Sequence, residues 1–135
     1  MSSVLVDANV LLDVMTEDTR WLAWSAAAIE RAADRYRLVI NPVIYAEVSI
    51  RYSRIEELDA ALPKTMFDRE GIPYEAAFLA GKSFLVYRRH GGTKRSPLPD
   101  FFIGAHAAVA GYRLMTRDAA RYRTYYPKLS LIAPN

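Results

Sequence analysis

The run from Ser2 to Val6 is short, apolar at its end and unbroken by any turn residue, and it stops on a carboxylate, Asp7. A strand of that kind has no polar face to offer water, so both its faces must be covered, as they are for an inner strand of a parallel sheet. Ligands of open parallel sheets gather outside the carboxyl ends of the strands, where Asp7 stands. Position alone leaves Asp7 two readings. It is a site carboxylate, or it accepts hydrogen bonds from the amides opening the next helix, a role equally open to Asn9.

The same junction recurs along the chain. Leu38-Val39-Ile40 closes on Asn41-Pro42, an N-cap followed by an N1 proline, and Arg113-Leu114-Met115-Thr116 runs into Asp118. Leu129 to Ile132 supplies a last strand. Helical periodicity fills the intervals: a turn over Val10–Met15, then Arg20–Ala33 behind the polar cap Thr16-Glu17-Asp18-Thr19, Pro42–Tyr52, Ser53–Leu62, Tyr74–Arg89 stopped by Gly91-Gly92, and Phe101–Gly111 opened by Asp100. Met66 to Gly71 carries no assignable pattern, and Thr93 to Pro99 reads as a basic, proline-punctuated loop. Short buried strands alternating with helices imply a three-layer α/β/α sandwich around a central parallel sheet. At 135 residues, without a linker, repeat or low-complexity segment, one domain over residues 1–135 is expected.

Composition closes off several chemistries. Cysteine is absent, which excludes thiolate catalysis, disulfides and cysteine-ligated zinc. No apolar run approaches the roughly 18 residues that span a bilayer, and Met1-Ser2-Ser3 does not begin a signal peptide, so a soluble cytoplasmic protein without a membrane partner is expected. The net charge of +3 conceals a division, because residues 1–60 hold ten acids against six bases and residues 61–135 five acids against twelve bases. The basic half suits a polyanionic partner.

Three acids share one structural address. Asp7 and Asp118 follow strands, and Glu47 sits among Val43, Ile44, Ala46, Val48 and Ile50 in the helix after the second strand, where an ordinary pair with Arg51 is the alternative. Asp100 joins them only if its helix starts at the same edge of the sheet. Four such carboxylates at about 4 to 5 Å repel by roughly 3 to 4 kcal/mol per pair at an effective dielectric near 20, and protons or a hard divalent cation must compensate. Mg²⁺ takes carboxylate oxygens while keeping waters and room for substrate phosphates. Asn9, Lys94, Arg95, Thr116 and Arg117 are candidate substrate contacts, with Arg88, Arg89, Arg121 and Arg123 adding to the same basic region. Asn9 and Thr116 can also orient a carboxylate, or serve turns and caps, and Asp118 can instead pair with Arg117. His106, inside an apolar helix, is read as structural, and Trp21 and Trp24 as packing residues or as the wall of a partner groove.

In this order, Asp7-Ala8-Asn9 after a first strand, Glu47 in the third helix, Pro99-Asp100 before an alanine-rich helix, and Thr116-Arg117-Asp118 followed by Tyr125-Tyr126-Pro127 resemble a PIN-domain nuclease, most closely the VapC toxins of toxin–antitoxin pairs. The resemblance covers the whole chain. It implies a metal-dependent endoribonuclease whose Asp7, Glu47, Asp100 and Asp118 hold Mg²⁺ or Mn²⁺, a VapB-like antitoxin partner and a homodimer. Trp21, Trp24 and the helix carrying Ile44 and Val48 are the expected antitoxin groove. The tyrosine-rich tail departs slightly from the family's aromatic-proline ending and is taken as structural. A non-catalytic RNA-binding module is the main rival, and EDTA in a cleavage assay separates the two. A haloacid-dehalogenase-like phosphatase wants a second aspartate where Asn9 stands, and a histidine-based nuclease has only His90 and His106 to draw on. No glycine-rich phosphate loop is present.

Overall fold

The computed structural model describes residues 2–95 and 98–135. Five strands form one all-parallel sheet in the order β3-β2-β1-β4-β5, with β1 at Ser3–Val6, β2 at Arg37–Ile40, β3 at Asp68–Arg69, β4 at Arg113–Met115 and β5 at Leu131–Ile132. Seven helices connect them: α1 Ala8–Met15, α2 Leu22–Ala33, α3 Pro42–Ser49, α4 Ile55–Ala61, α5 Tyr74–Arg89, α6 Pro99–Ala110 and α7 Ala120–Tyr125. Val4, Leu5, Val6, Val39 and Leu114 are all 0% exposed, as strands covered on both faces require. The chain leaves β1 toward β2 on one side and later returns to β4 on the other, so the topological switch lies between β1 and β4. Asp7 and Thr116 extend these two strands at that point, where Asp7 N–H donates to Met115 O at 2.9 Å.

Several boundaries differ from the sequence reading for identifiable reasons. Met66–Gly71 contains β3, a two-residue edge strand whose Asp68 and Arg69 read as loop chemistry, and charge on an edge is what keeps it from pairing elsewhere. Helix α6 begins at Pro99 with Leu98 as its cap, which puts Asp100 in the first turn rather than at the cap. Helix α3 stops at Ser49, leaving Ile50 83% exposed. Its Ile44 and Val48 are fully buried in the core, so they cannot line a partner groove, and that placement is corrected. Helix α7 was not expected at all, because six residues with one buried position carry too little periodicity to show.

Two local devices fix the helices that carry the acids. Asn41 Oδ1 accepts from Ile44 N–H at 2.9 Å, capping α3, while its Nδ2 lies 3.0 Å from His106 Nδ1 on α6. Since the amide oxygen is engaged in the cap, Nδ2 donates and His106 Nδ1 accepts, which leaves the proton on Nε2, 3.7 Å from Glu70. His106 is thus structural, and 1% exposed. At Gly104 a Cβ would meet the Tyr126 ring at 2.4 Å, so only glycine lets α7 and the chain after it close against α6. Tyr126 Oη then donates to Phe101 O at 2.8 Å. Among the described residues no helix is long and apolar enough to cross a membrane.

Candidate active site

Asp7 occupies the N-cap position of α1, but its side chain makes no capping hydrogen bond. It is spent on a different set of partners. Thr116 Oγ1 donates to Asp7 Oδ2 at 3.0 Å, Tyr122 Oη donates to the same oxygen at 2.9 Å, and Tyr122 Oη also lies 3.3 Å from Asp100 Oδ1. Asn9 Nδ2 donates to Thr116 Oγ1 at 3.2 Å, and Asn9 Oδ1 accepts from Arg117 N–H at 3.2 Å. A chain of donors from Asn9 through Thr116 therefore orients Asp7, and among the described residues no side-chain hydrogen bond engages its Oδ1.

The electrostatics follow from this crowding. Asp7 is 4% exposed, and burial, with the nearby Asp100 charge, pushes its carboxyl up to about 6 even though Tyr122 and Thr116 stabilise the anion. Glu47, projecting from α3, is pushed up to about 7, first by burial and then by Asp7 and Asp100. Asp100 is raised by burial and by Asp118, while Arg121, 3.6 Å from its Oδ2, and Tyr122 pull the other way. No ion pair joins Glu47 to Arg51 among the described residues. Burial and the surrounding acids raise Tyr122 far above the usual phenol range, so it stays protonated as a donor. Asp118 is exposed and meets the group through its backbone, its N–H donating to Thr116 Oγ1 at 3.1 Å.

Asp7, Glu47 and Asp100 thus share one charged locality at the switch point, with Asp118 on its rim. Among the described residues no three acidic or histidine side chains stand close enough together to hold a metal ion as they are placed. What they offer is a loose set of hard oxygen donors whose mutual repulsion is only partly offset by Arg121, and donors of that kind suit a cation that keeps several waters.

The basic candidates separate. Lys94 and Arg95 are exposed, and their loop is tied down where Arg88 donates to Lys94 O at 2.7 Å. Tyr87 Oη accepts from Lys94 N–H at 3.4 Å, and its ring lies 6.0 Å from the Arg121 guanidinium, so a basic strip leads from this loop to Asp100. Arg117 is partly committed elsewhere: its Nε donates to Asp13 at 2.9 Å, and its guanidinium sits 5.7 Å from the Trp21 ring. Asp13 is 2% exposed and also accepts from Ser25 at 2.8 Å.

Sequence reasoning missed Tyr122 and Asp13. Asp13 left a signal, a lone acid inside the apolar run from Val10 to Val14 with Asn9 one helical turn before it. Tyr122 left none, because its role depends on α7 folding back onto Asp7 across 115 residues.

The profile of the PIN-domain family matches residues 4–125. No curated protein is significantly similar in sequence. Among solved structures the fold is similar to VapBC2 from Rickettsia felis bound to a promoter DNA fragment, with a TM-score of 0.74 at 15% identity over 98% of this chain and 99% of that one. VapBC-1 from nontypeable Haemophilus influenzae gives 0.72 at 16% over 97% of both chains, and a toxin–antitoxin complex from Klebsiella pneumoniae 0.63 at 20% over 98% of both.

Proposed function

As the chain belongs to the PIN-domain family, we propose that it is a metal-dependent endoribonuclease that hydrolyses RNA phosphodiester bonds, and that it is the toxin of a toxin–antitoxin pair. The observation that carries this reading is the buried Asp7, held by Thr116 and Tyr122 and raised to about 6 beside Asp100 and Glu47. Carboxylates are not gathered at such a cost merely to cap helices. Asp7, Glu47, Asp100 and Asp118 would hold Mg²⁺ or Mn²⁺. A divalent ion bound there would supply an activated water near neutral pH and a counter-charge for the phosphorus-bound oxygens.

The chain's own residues do the positioning. Thr116 and Tyr122 fix Asp7 through Oδ2, so that its other carboxylate oxygen presents one defined direction. Arg121 steadies Asp100 and would be the cation nearest to a phosphate bound there. Glu47 gives up its proton fully at neutral pH only when positive charge arrives, which makes the site's affinity for cations rise with pH. Exposed Lys94 and Arg95 extend the cationic strip along which RNA would lie. Cleavage of RNA with Mg²⁺ or Mn²⁺, lost in EDTA and restored by added metal, is the expected result. Salt-sensitive RNA binding without any cleavage would favour the binding-module reading.

One groove on the molecule supports the partner reading. Leu11 and Met15 of α1, Ile29 of α2, and Met66 and Phe67 line an apolar groove of roughly 400 Å³, with Glu30 and Asp34 on its rim. An antitoxin helix with an apolar face flanked by lysine or arginine complements it. Met66 is 44% exposed, so Met66→Glu should fold normally and weaken antitoxin binding at least tenfold by calorimetric titration. Unchanged affinity would move the partner elsewhere. The homodimer belongs to the same reading and is checked by sedimentation of the purified protein.

A further inference from the structure

A second cationic surface lies at the opposite end of the sheet from the acids. Two hollows flank the start of β4 and strand β5 there. The larger, of about 520 Å³, is lined by Gly111, Tyr112, Arg113, Lys128 and Ser130 among others, and the smaller, of about 230 Å³, by Arg31, Arg35, Tyr36 and Ile132 with Ala28 and Ala32. Arg113 joins them, since it lines the larger while its guanidinium stacks 5.1 Å from the Tyr36 ring at the smaller. Neither hollow has a carboxylate in its lining. Among the described residues, none of Arg31, Arg35, Arg113 and Lys128 enters an ion pair, whereas Arg37, Arg69, Arg117 and Arg121 all do. Glu30 and Asp34 adjoin Arg31 and Arg35 in sequence, but both are exposed on α2 and its C-terminal end, and both line the apolar groove on the other side of that helix rather than either hollow.

We propose that Arg31, Arg35, Arg113 and Lys128 form a second RNA-binding site, which holds the phosphate backbone of a folded RNA whose scissile segment lies at the acids on the other edge. Unpaired guanidinium and ammonium groups around an exposed hollow gain most from a polyanion, because each phosphate they neutralise releases condensed counterions. Tyr36, already stacked by Arg113, adds a flat surface on which an unpaired base can lie. Contacts of this kind set register without reading sequence, so the site would select RNAs by their extent and shape. A short single strand seated at the acids cannot reach it. This assignment rests on the RNA reading above, but its test does not need cleavage.

The experiment uses the full chain carrying Asp7→Asn, so that RNA stays intact, and compares it with the same chain carrying Arg31→Ala, Arg35→Ala and Lys128→Ala in addition. All three side chains are exposed, and a thermal melt confirms that folding is retained. Affinity is measured against salt for an RNA hairpin with a long stem, a short single-stranded RNA and a DNA duplex of the same length. The slope of log affinity against log salt should fall by about 2 to 3 for the hairpin and stay unchanged for the short strand. An unchanged hairpin slope, an equal loss for the short strand, or equal binding of the DNA duplex overturns the proposal. Absence of cleavage by the unsubstituted chain with Mg²⁺ or Mn²⁺ would instead overturn the nuclease reading, and the hairpin result would still decide the second site.

Discussion

Asp7→Asn should abolish RNA cleavage and at the same time make the metal-free protein more stable at neutral pH. The carboxyl titrates at 3.8 as a free group and at about 6 in the fold, where burial disfavours its charge. Between those values the folded chain holds more protons than the unfolded one, so this group's contribution to stability falls as pH rises through the window, and its full cost remains above it. Two pKa units correspond to about 3 kcal/mol, an upper bound on what removing the charge returns. Asparagine keeps the volume and an oxygen for Thr116 and Tyr122. Urea denaturation in EDTA at about pH 5 and about pH 7 should show the gain over wild type growing with pH, and added Mg²⁺ should stabilise only the wild type. A purely capping Asp7 predicts retained activity and no pH-dependent gain, since asparagine caps as well as aspartate.

Arg117→Ala is expected to cost roughly 1 to 3 kcal/mol of stability, because it strips a buried carboxylate of its charged partner, while the guanidinium itself is only partly buried. It leaves Asp13, 2% exposed, with Ser25 as its remaining side-chain partner. Removing both members by Asp13→Ala with Arg117→Ala should cost less than the sum of the two single changes, because no uncompensated charge is left behind. Denaturant unfolding of the four proteins in that cycle is the measurement. A loss below about 1 kcal/mol for Arg117→Ala would class the pair with exposed salt bridges. It would also free Arg117 to act as an RNA contact, with a rise in KM as its signature.

The ion pair shows where sequence reading stops. Arg117 stands next to Asp118, and adjacency offered that pair, but the guanidinium reaches Asp13, 104 residues earlier. Adjacent residues in an extended segment point apart, and only the parallel pairing of β4 beside β1 brings the two distant segments together. Asp100 behaves likewise. Its place before an alanine-rich helix was visible, while its approach to Asp7 depends on α6 starting at the same edge of the sheet and on the Tyr122 hydroxyl between the two carboxylates.

From the sequence alone came the all-parallel α/β architecture, the strand that ends on Asp7, the helix that places Glu47, and the divided charge. These are properties of local pattern: hydrophobic period, turn residues and caps act over a few residues and are written in their order. The fold alone decided which donors hold Asp7, which acid Arg117 meets, where an apolar groove opens and which cations are left without partners. Those depend on contacts between distant segments, across more than a hundred residues for Asp7 and Arg117, and on burial, which shifts a carboxyl from 3.8 to about 6 without any change in the residue that bears it.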